Sequence, residues 1–305
     1  MDKIKNLIRD GVGTKGAVGI EVEMEGRHIN RNIGGFWNVE DDGSLGGPES
    51  AEYVLRKPLS LSNAKKALQE LTEALKGSEL LPSVRAGVHV HLNVQEYTLT
   101  QVANLVTLYL VVEDLLLEVC GEGRQSNLFC LKGCEAEYMV QKAIQLFQHG
   151  EVGHVNDDNI RYSGLNLAAI PKFGSVEFRA FRTPKDIMEI MPWVRTIHHL
   201  GTLAKDRYDN PIDVLTGYSE FDAGLFVNDV LPEYAAQLKE LPNWEERLKR
   251  GMRSAQDLAY SQAWGVKRTV DTGELPESLQ RLVDDHPHVD VEHLRTIWEG
   301  RNENT

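Results

Sequence analysis

Residues 87–94 read GVHVHLNV, a stretch in which polar and apolar side chains strictly alternate. Because side chains along a β-strand point to opposite faces in turn, the pattern predicts a strand with His89, His91 and Asn93 on one face. Valine and leucine occupy the other face, which therefore has to pack against another layer of the protein. The polar face is either a functional site or a solvated surface, and the remaining sequence has to decide between them.

Three further segments repeat this alternation or carry acidic residues near a turn. The segment at 17–25 carries glutamates at every second position, 50–59 carries Glu52 shortly after the Asp42–Gly43 turn signal, and 174–181 carries Glu177 and Arg179 on one face. A further strand is predicted at 161–170, joined to the strand at 174–181 by a tight turn at 171–174, as in a hairpin. Helical periodicity is predicted over 59–77, 98–121, 134–150 and 183–205, the last with a kink at Pro192.

The composition changes at about residue 232, after which charged helical patterns are separated by turns. We therefore expect one domain over 1–231 and a C-terminal helical extension over 232–305 that packs on it.

The formal net charge is −13, from 46 acidic and 33 basic residues. Such a surface repels phosphate backbones and anionic lipids, which argues against bulk nucleic-acid binding and against a membrane partner. The first residues lack the apolar stretch of a signal peptide, so a cytoplasmic protein is expected. Three cysteines without paired spacing predict reduced thiols rather than a disulfide framework or a zinc site.

The spacing of the acidic residues indicates a chemistry. Carboxylates two positions apart on a strand lie about 6.5–7 Å apart, which suits shared ligation of divalent cations. Oxygen ligands with one or two imidazoles favour Mg²⁺ or Mn²⁺, and the guanidinium of Arg179 beside them suggests a phosphate. Each motif also has an ordinary interpretation: alternating glutamates can form a solvated face, and Glu177–Arg179 can be a surface ion pair.

The order of the motifs adds a resemblance. It is carried by GIEVEME at 19–25, DGSL at 42–45, AEYVLRKPL at 51–59, GVHVHLN at 87–93, RYSGLNLAAI at 161–170 and SVEFRAF at 175–181. Together these segments resemble the amidoligase family, which belongs with glutamine synthetase and glutamate–cysteine ligase among the carboxylate–amine ligases. The resemblance covers roughly residues 17–205, so the first domain is expected to be the catalytic one.

The resemblance implies an α+β fold with a glutamine-synthetase-like, curved and mainly antiparallel sheet, which has helices on its convex face and ATP with Mg²⁺ or Mn²⁺ on its concave face. It assigns metal ligation to Glu21, Glu23, Glu52, His89, Glu177 and Asp42. It assigns the nucleotide or a substrate carboxylate to Arg179, Arg161, Arg124 and Ser44. Among these, Arg179, Glu177 and Glu21 are expected to be catalytic, while direct roles for His91, Asn93 and Arg182 stay open.

The activity that the resemblance implies is ATP-dependent amide-bond formation through an acyl phosphate, with the cations bridging the ATP phosphates. The substrates would be a small-molecule or peptide carboxylate and an amine, and assembly into a homo-oligomer is left open. Two other classes remain: a phosphotransferase on the same fold, similar to the guanidino kinases, and a non-catalytic module that binds a nucleotide or metal.

Overall fold

The computed structural model describes residues 2–8, 15–121, 123–124, 130–216 and 223–264, without the side chains of Cys134 and Arg161. Within these ranges the chain forms seven strands and ten α-helices. The strands are β1 Val18–Arg27, β2 Trp37–Glu40, β3 Glu49–Leu55, β4 Glu79–Leu81, β5 Gly87–Asn93, β6 Leu165–Asn166 and β7 Ser175–Arg182. The helices are α1 Ile4–Leu7, α2 Leu61–Ala74, α3 Leu99–Val119, α4 Glu137–His149, α5 Ala169–Phe173, α6 Ile190–Asp206, α7 Pro211–Thr216, α8 Ala223–Val230, α9 Ala235–Lys239 and α10 Trp244–Ala259.

All strands belong to one sheet with the order β2-β3-β1-β5-β7-β6, and every ladder is antiparallel. Strand β1 is central: β3 pairs along one side of it, while β5 and the short β4 pair with its first and last residues. The mixed composition of helices and an antiparallel sheet confirms the predicted α+β class. The curvature of the sheet and its likeness to glutamine synthetase stay predictions.

The apolar face of the sheet packs against a layer of helices. Val88, Val90 and Leu92 of β5 are buried in one core that α2, α3 and α6 also enter. Helix α3 forms the middle of this layer, and a capping box between Thr98 and Gln101 fixes its start. Among the residues that the structure describes, none of the helices combines the length and apolar composition of a membrane span.

Two local predictions are wrong. The segment 161–170 contributes only the two-residue β6, because the Asn166 side chain accepts a hydrogen bond from the Ala168 amide and turns the chain into α5. β6 still pairs antiparallel with β7, as predicted, but a short helix ending at Gly174 replaces the tight turn. The helix predicted from residue 183 begins as α6 only at Ile190, so Pro192 lies in its first turn, where a missing amide hydrogen leaves no bond unmade, and not inside a helix that it could kink.

Helices α9 and α10 occupy the described part of the predicted C-terminal extension, and the helical pattern predicted beyond residue 264 lies outside the described residues. Leu248, Ala255 and Leu258 of α10 join the same buried core as the sheet. α10 crosses α3 so closely that a Cβ on Gly251 would overlap the Val111 carbonyl and lie 2.9 Å from the Leu110 oxygen. The division of the chain at residue 232 stays a prediction.

We expect Gly251→Ala to destabilise the protein by about 1–3 kcal/mol, the usual cost of overpacking a close contact. The control is Gly224→Ala in α8, where a Cβ would meet nothing within 4 Å. Urea denaturation of both variants checks the prediction. Equal stability of the two variants would contradict a close α3–α10 contact.

A second prediction concerns Glu113, which is buried on α3 and accepts a hydrogen bond from the Gly133 amide at 2.7 Å. Burial raises the pKa of Glu113 from 4.5 to about 8. Because the folded protein keeps this proton and the unfolded chain releases it, the stabilisation is complete below pH 4.5 and is lost as the pH rises through about 8. Glu113→Gln keeps the acceptor and should show a flatter pH profile of unfolding free energy. Parallel profiles for the two proteins would refute this.

Candidate active site

The strand register brings the polar side chains of six strands to one face of the sheet. Glu21 on β1 lies opposite His89 on β5, Glu23 lies opposite Glu52 on β3, and His91 lies opposite Glu177 on β7. Directly paired residues project on the same side of a sheet, so these side chains form one continuous group. On the outer strands, Glu40 is paired with Glu52 and Asn166 with Glu177, which extends the group at both ends.

His89 is the centre of this group and is only 3% exposed. Its Nδ1 lies 3.1 Å from Glu21 Oε2 and 3.4 Å from Glu177 Oε1, while its Nε2 lies 3.6 Å from Glu23 Oε1. One imidazole thus contacts carboxylates from two neighbouring strands.

His91 makes a second link on the same face. Its Nε2 lies 3.1 Å from Glu21 Oε1, and its Nδ1 lies 3.1 Å from the Ser175 hydroxyl. Burial by itself lowers the pKa of His91, but the charges of Glu177 and Glu21 outweigh it, so the pKa is raised. Burial by itself also raises the pKa of Glu21, yet the hydrogen bonds with the two histidines hold that pKa well below its ordinary value.

An ion pair between Glu177 and Arg179 brings a positive charge to one edge of the group. Arg179 Nη1 donates to Glu177 Oε1 and lies 3.5 Å from His89 Nδ1, and Asn166 Nδ2 donates to Glu177 Oε2 at 2.5 Å. Burial raises the pKa of Glu177, but His91 and Arg179 outweigh it and lower that pKa. Arg179 Nε is buried and has no hydrogen-bond partner among the described residues. The guanidinium therefore keeps one donor unused.

Glu52 and Glu23 behave differently from Glu21 and Glu177. Burial, together with the negative charges of Glu21 and Glu23, raises the pKa of Glu52 to about 8. Burial also raises the pKa of Glu23, whose Oε2 accepts the Gly87 amide hydrogen at 2.8 Å. Asp42 lies close enough to Glu23 to influence its pKa, and it accepts the Ser44 amide hydrogen at 2.7 Å in a tight turn.

Two sets of side chains in this group could hold a metal ion: Glu21, His91 and Glu177, and Glu21, Glu52 and His89. Within each set, one ligand atom per residue lies within 4.8 Å of the others, and Glu21 belongs to both sets. Carboxylate oxygens with an imidazole suit Mg²⁺ or Mn²⁺. The positive charge of such a cation would also lower the pKa of Glu52, which burial and the neighbouring negative charges raise. The donor set therefore fits a divalent cation.

Other predicted residues lie outside this group. Ser44 is exposed, and its carbonyl accepts a hydrogen bond from Arg85. Arg124 is buried and donates to the backbone carbonyls of Arg179 and Ala180 rather than to the carboxylates. Arg182 lies 3.5 Å from Glu189, Asn93 donates to the Gly16 carbonyl, and the side chain of Arg161 lies outside the description.

Sequence reasoning left His91 open and missed Asn166 and Glu40. His91 shares the alternation of His89, so the signal was present but did not separate a ligand from a surface residue. Asn166 had no periodic signal, because β6 is only two residues long. Glu40 could have been found from its place shortly before the Asp42–Gly43 turn, on the strand that pairs with the one carrying Glu52.

Two cavities adjoin the ends of the polar group along β1. A cavity of about 430 Å³ is lined by Gly19, Glu21, Glu52, His91 and Phe173, among others. A cavity of about 490 Å³ lies beyond the other end of the group and is lined by Glu25, Leu81, Arg182 and Lys185, among others. The carboxylates and histidines thus lie between two spaces that are each large enough for a small molecule.

A family of proteins described as "putative amidoligase enzyme" matches residues 34–200 of the chain. The chain belongs to this family. The matched range includes Glu52, His89, His91, Glu177 and Arg179, whereas Glu21 and Glu23 precede it. Membership confirms the resemblance and indicates a ligase-type enzyme. No curated protein matches this chain.

We expect purified protein to bind Mn²⁺ through Glu21, which belongs to both candidate ligand sets. Glu21→Gln should weaken binding by at least about tenfold, because even residues that only support a metal ligand contribute about 10–100-fold in affinity. The matched control is Glu25→Gln on the same strand face, since Glu25 instead accepts the Gly46 amide hydrogen. Mn²⁺ titration followed by electron paramagnetic resonance measures both variants. Equal affinity in the two variants would remove Glu21 from the ligand set.

Proposed function

We propose that this amidoligase joins a carboxylic acid to an amine at the expense of ATP, through an acyl-phosphate intermediate. The observation that carries the proposal is the convergence of Glu21, His89 and Glu177 from three neighbouring strands, with Arg179 beside them, in a member of the amidoligase family. A glutamine-synthetase-like sheet would present this group to the substrates.

Divalent cations would be held by Glu21, Glu52, Glu177 and the two histidines, with Glu23 and Asp42 close by. When bound, such ions neutralise the negative charge of the phosphate groups and polarise the phosphoryl group that is transferred.

Arg179 would stabilise the transferred phosphoryl group, and its unpartnered Nε supports this role. In the first step, the substrate carboxylate attacks the γ-phosphorus of ATP, the bond to the bridging oxygen breaks, and ADP leaves. In the second step, the nitrogen of a neutral amine attacks the acyl carbon, inorganic phosphate leaves with the C–O electrons, and the nitrogen loses a proton. Glu177 would keep Arg179 aimed at this reaction through their ion pair.

The acyl phosphate has to be protected from water, so closure around the site is part of the proposal. The segments 41–50 and 150–160 are the candidates. The first is fastened near the site by bonds from Gly46 to Glu25 and from Arg85 to the Ser44 carbonyl. The second contacts α5, whose last residue, Phe173, meets the His91 ring edge-on at 6.0 Å. These segments would close over a substrate that occupies the cavity beside His91 and Phe173.

The direct test supplies the protein with Mg²⁺, ATP and pooled carboxylates and amines, and it measures ADP release and the mass of any product. We expect an amide product and free phosphate. A stable phosphorylated product would instead indicate a phosphotransferase, and nucleotide binding without turnover would indicate a non-catalytic module. Either result overturns the ligase assignment.

We expect Arg179→Ala to lower kcat by about 10²–10³, the usual cost of removing one donor from a charge-stabilising site. The control is Arg195→Ala, because Arg195 forms an exposed ion pair with Glu233 away from the carboxylates. Steady-state kinetics of ADP release with the identified substrates gives both values. A fully active Arg179→Ala enzyme would refute the proposed role.

A further inference from the structure

The ladder between β5 and β7 contains an irregularity beside the site. Val90 is paired with Phe178 and Val88 with Phe181, so a single residue on β5 faces two residues on β7. The single residue is His89, and the two are Arg179 and Ala180. This is the arrangement of a β-bulge, which bends a strand locally and redirects its side chains. The bulge is thus the local feature of β7 that sets the direction of the Arg179 side chain.

Arg124 holds this bulge from the side of the backbone. Its Nε donates to the Ala180 carbonyl at 3.0 Å, and its Nη2 donates to the Arg179 carbonyl at 2.5 Å. The two acceptors belong to the two bulge residues. Because a guanidinium is planar and rigid, two bonds from one group fix the relative orientation of consecutive carbonyls. The Arg179 side chain leaves the same backbone, so its direction is fixed with them.

Gly87 provides the room for this contact. A Cβ on Gly87 would lie 2.8 Å from Arg124 Nη2 and 3.4 Å from its Cζ. Gly87 also donates its amide hydrogen to Glu23 Oε2, so the residue that accommodates Arg124 directly contacts the carboxylate group. A side chain at position 87 would press on the guanidinium of Arg124, which explains the glycine at the start of β5.

The environment of Arg124 is unusual for a residue that only stabilises a fold. The residue is 2% exposed, and no carboxylate pairs with it among the residues that the structure describes. Its Nη1 is buried without a hydrogen-bond partner in the same described set. Burying a guanidinium against neutral carbonyls alone has an unfavourable desolvation cost. An apolar side chain would fill this space at lower cost, but it could not orient two carbonyls.

We propose that Arg124 is a positioning residue that fixes the β7 bulge and thereby aims Arg179 at the phosphoryl group transferred in the active site. This inference rests on the proposed function of Arg179 and replaces the expectation that Arg124 itself contacts an anion. Arg124 acts through the backbone of Arg179 and Ala180 and touches no substrate.

The kinetic test uses Arg124→Lys and Arg124→Ala with the substrates identified for the wild-type protein. We expect kcat to fall by about 100-fold with little change in KM, because a misplacement of about 1 Å has that effect on a positioned group. Arg124→Lys should rescue little, since an ammonium cannot hold both carbonyls in one plane. Added guanidinium ion should restore part of kcat in Arg124→Ala, whereas methylammonium should not. Absence of guanidinium rescue together with a raised KM would contradict positioning.

The control for a loss of stability alone is Asn104→Ala, because the buried Asn104 side chain on α3 also donates to two backbone carbonyls, those of Ala204 and Tyr208 in the helix layer. We expect a lower melting temperature for this variant without a loss of kcat. If Arg124→Ala fails to fold, Gly87→Ala tests the same contact by pressing a methyl group on Nη2, and it should lower kcat in the same direction. A Gly87→Ala enzyme with wild-type kcat would then overturn the proposal.

A structural measurement separates this inference from the proposed function. Crystal structures of the wild-type protein and of Arg124→Ala should show the Arg179 and Ala180 carbonyls reoriented and the Arg179 guanidinium displaced from Glu177 in the variant. If Arg179 keeps its contact with Glu177 in Arg124→Ala, the positioning role is refuted whatever the activity. If the wild-type protein catalyses no ATP-dependent ligation, the proposed function fails, while this comparison still decides what Arg124 does to Arg179.

Discussion

The candidate site depends on the register of β5 between β1 and β7. Pairing of Glu21 with His89 and of His91 with Glu177 sets every central contact of the polar group. A shift of one residue would turn the histidines toward the helices and the valines toward the carboxylates. The apolar face prevents that shift, because Val88 and Val90 are fully buried in the core. Packing on one side of the sheet therefore maintains the chemistry on the other side.

The direction of the pKa shift divides the carboxylates into two pairs. Imidazole and guanidinium partners outweigh burial at Glu21 and Glu177 and lower their pKa values, so these two carboxylates are ionised. At Glu23 the positive partners do not outweigh burial, and at Glu52 the negative charges of Glu21 and Glu23 add to it, so both pKa values are raised. The charges within the chain can thus balance only part of the acidic group. A divalent cation would complete the balance, which is a physical reason to expect one at Glu21, the residue common to both candidate ligand sets.

The alternation of side chains in the sequence was sufficient to predict which face of each long strand is polar. Helical periodicity likewise predicted the long helix that became α3, because that signal is local and repeated, whereas the antiparallel sheet was expected from the family resemblance. The β7 bulge could not be predicted, since it arises from pairing between strands more than eighty positions apart. The role of Arg124 was hidden for the same reason: its partners are backbone carbonyls, which every residue carries. Asn166 was missed because it lies in a two-residue strand, which is too short to show an alternating pattern in the sequence.

The family match begins at residue 34, yet the strand that carries Glu21 and Glu23 lies in the middle of the sheet. β1 is hydrogen-bonded to β3 on one side and to β5 on the other, so the matched strands would not adjoin one another without it. Removing β1 would separate Glu52 from His89 and leave the rest of the group without the carboxylate that contacts both histidines. The segment before the matched range is therefore an integral part of both the fold and the candidate site. A comparison restricted to residues 34–200 would omit Glu21, the carboxylate between Glu52 and the two histidines, and the chemistry proposed for this amidoligase requires it.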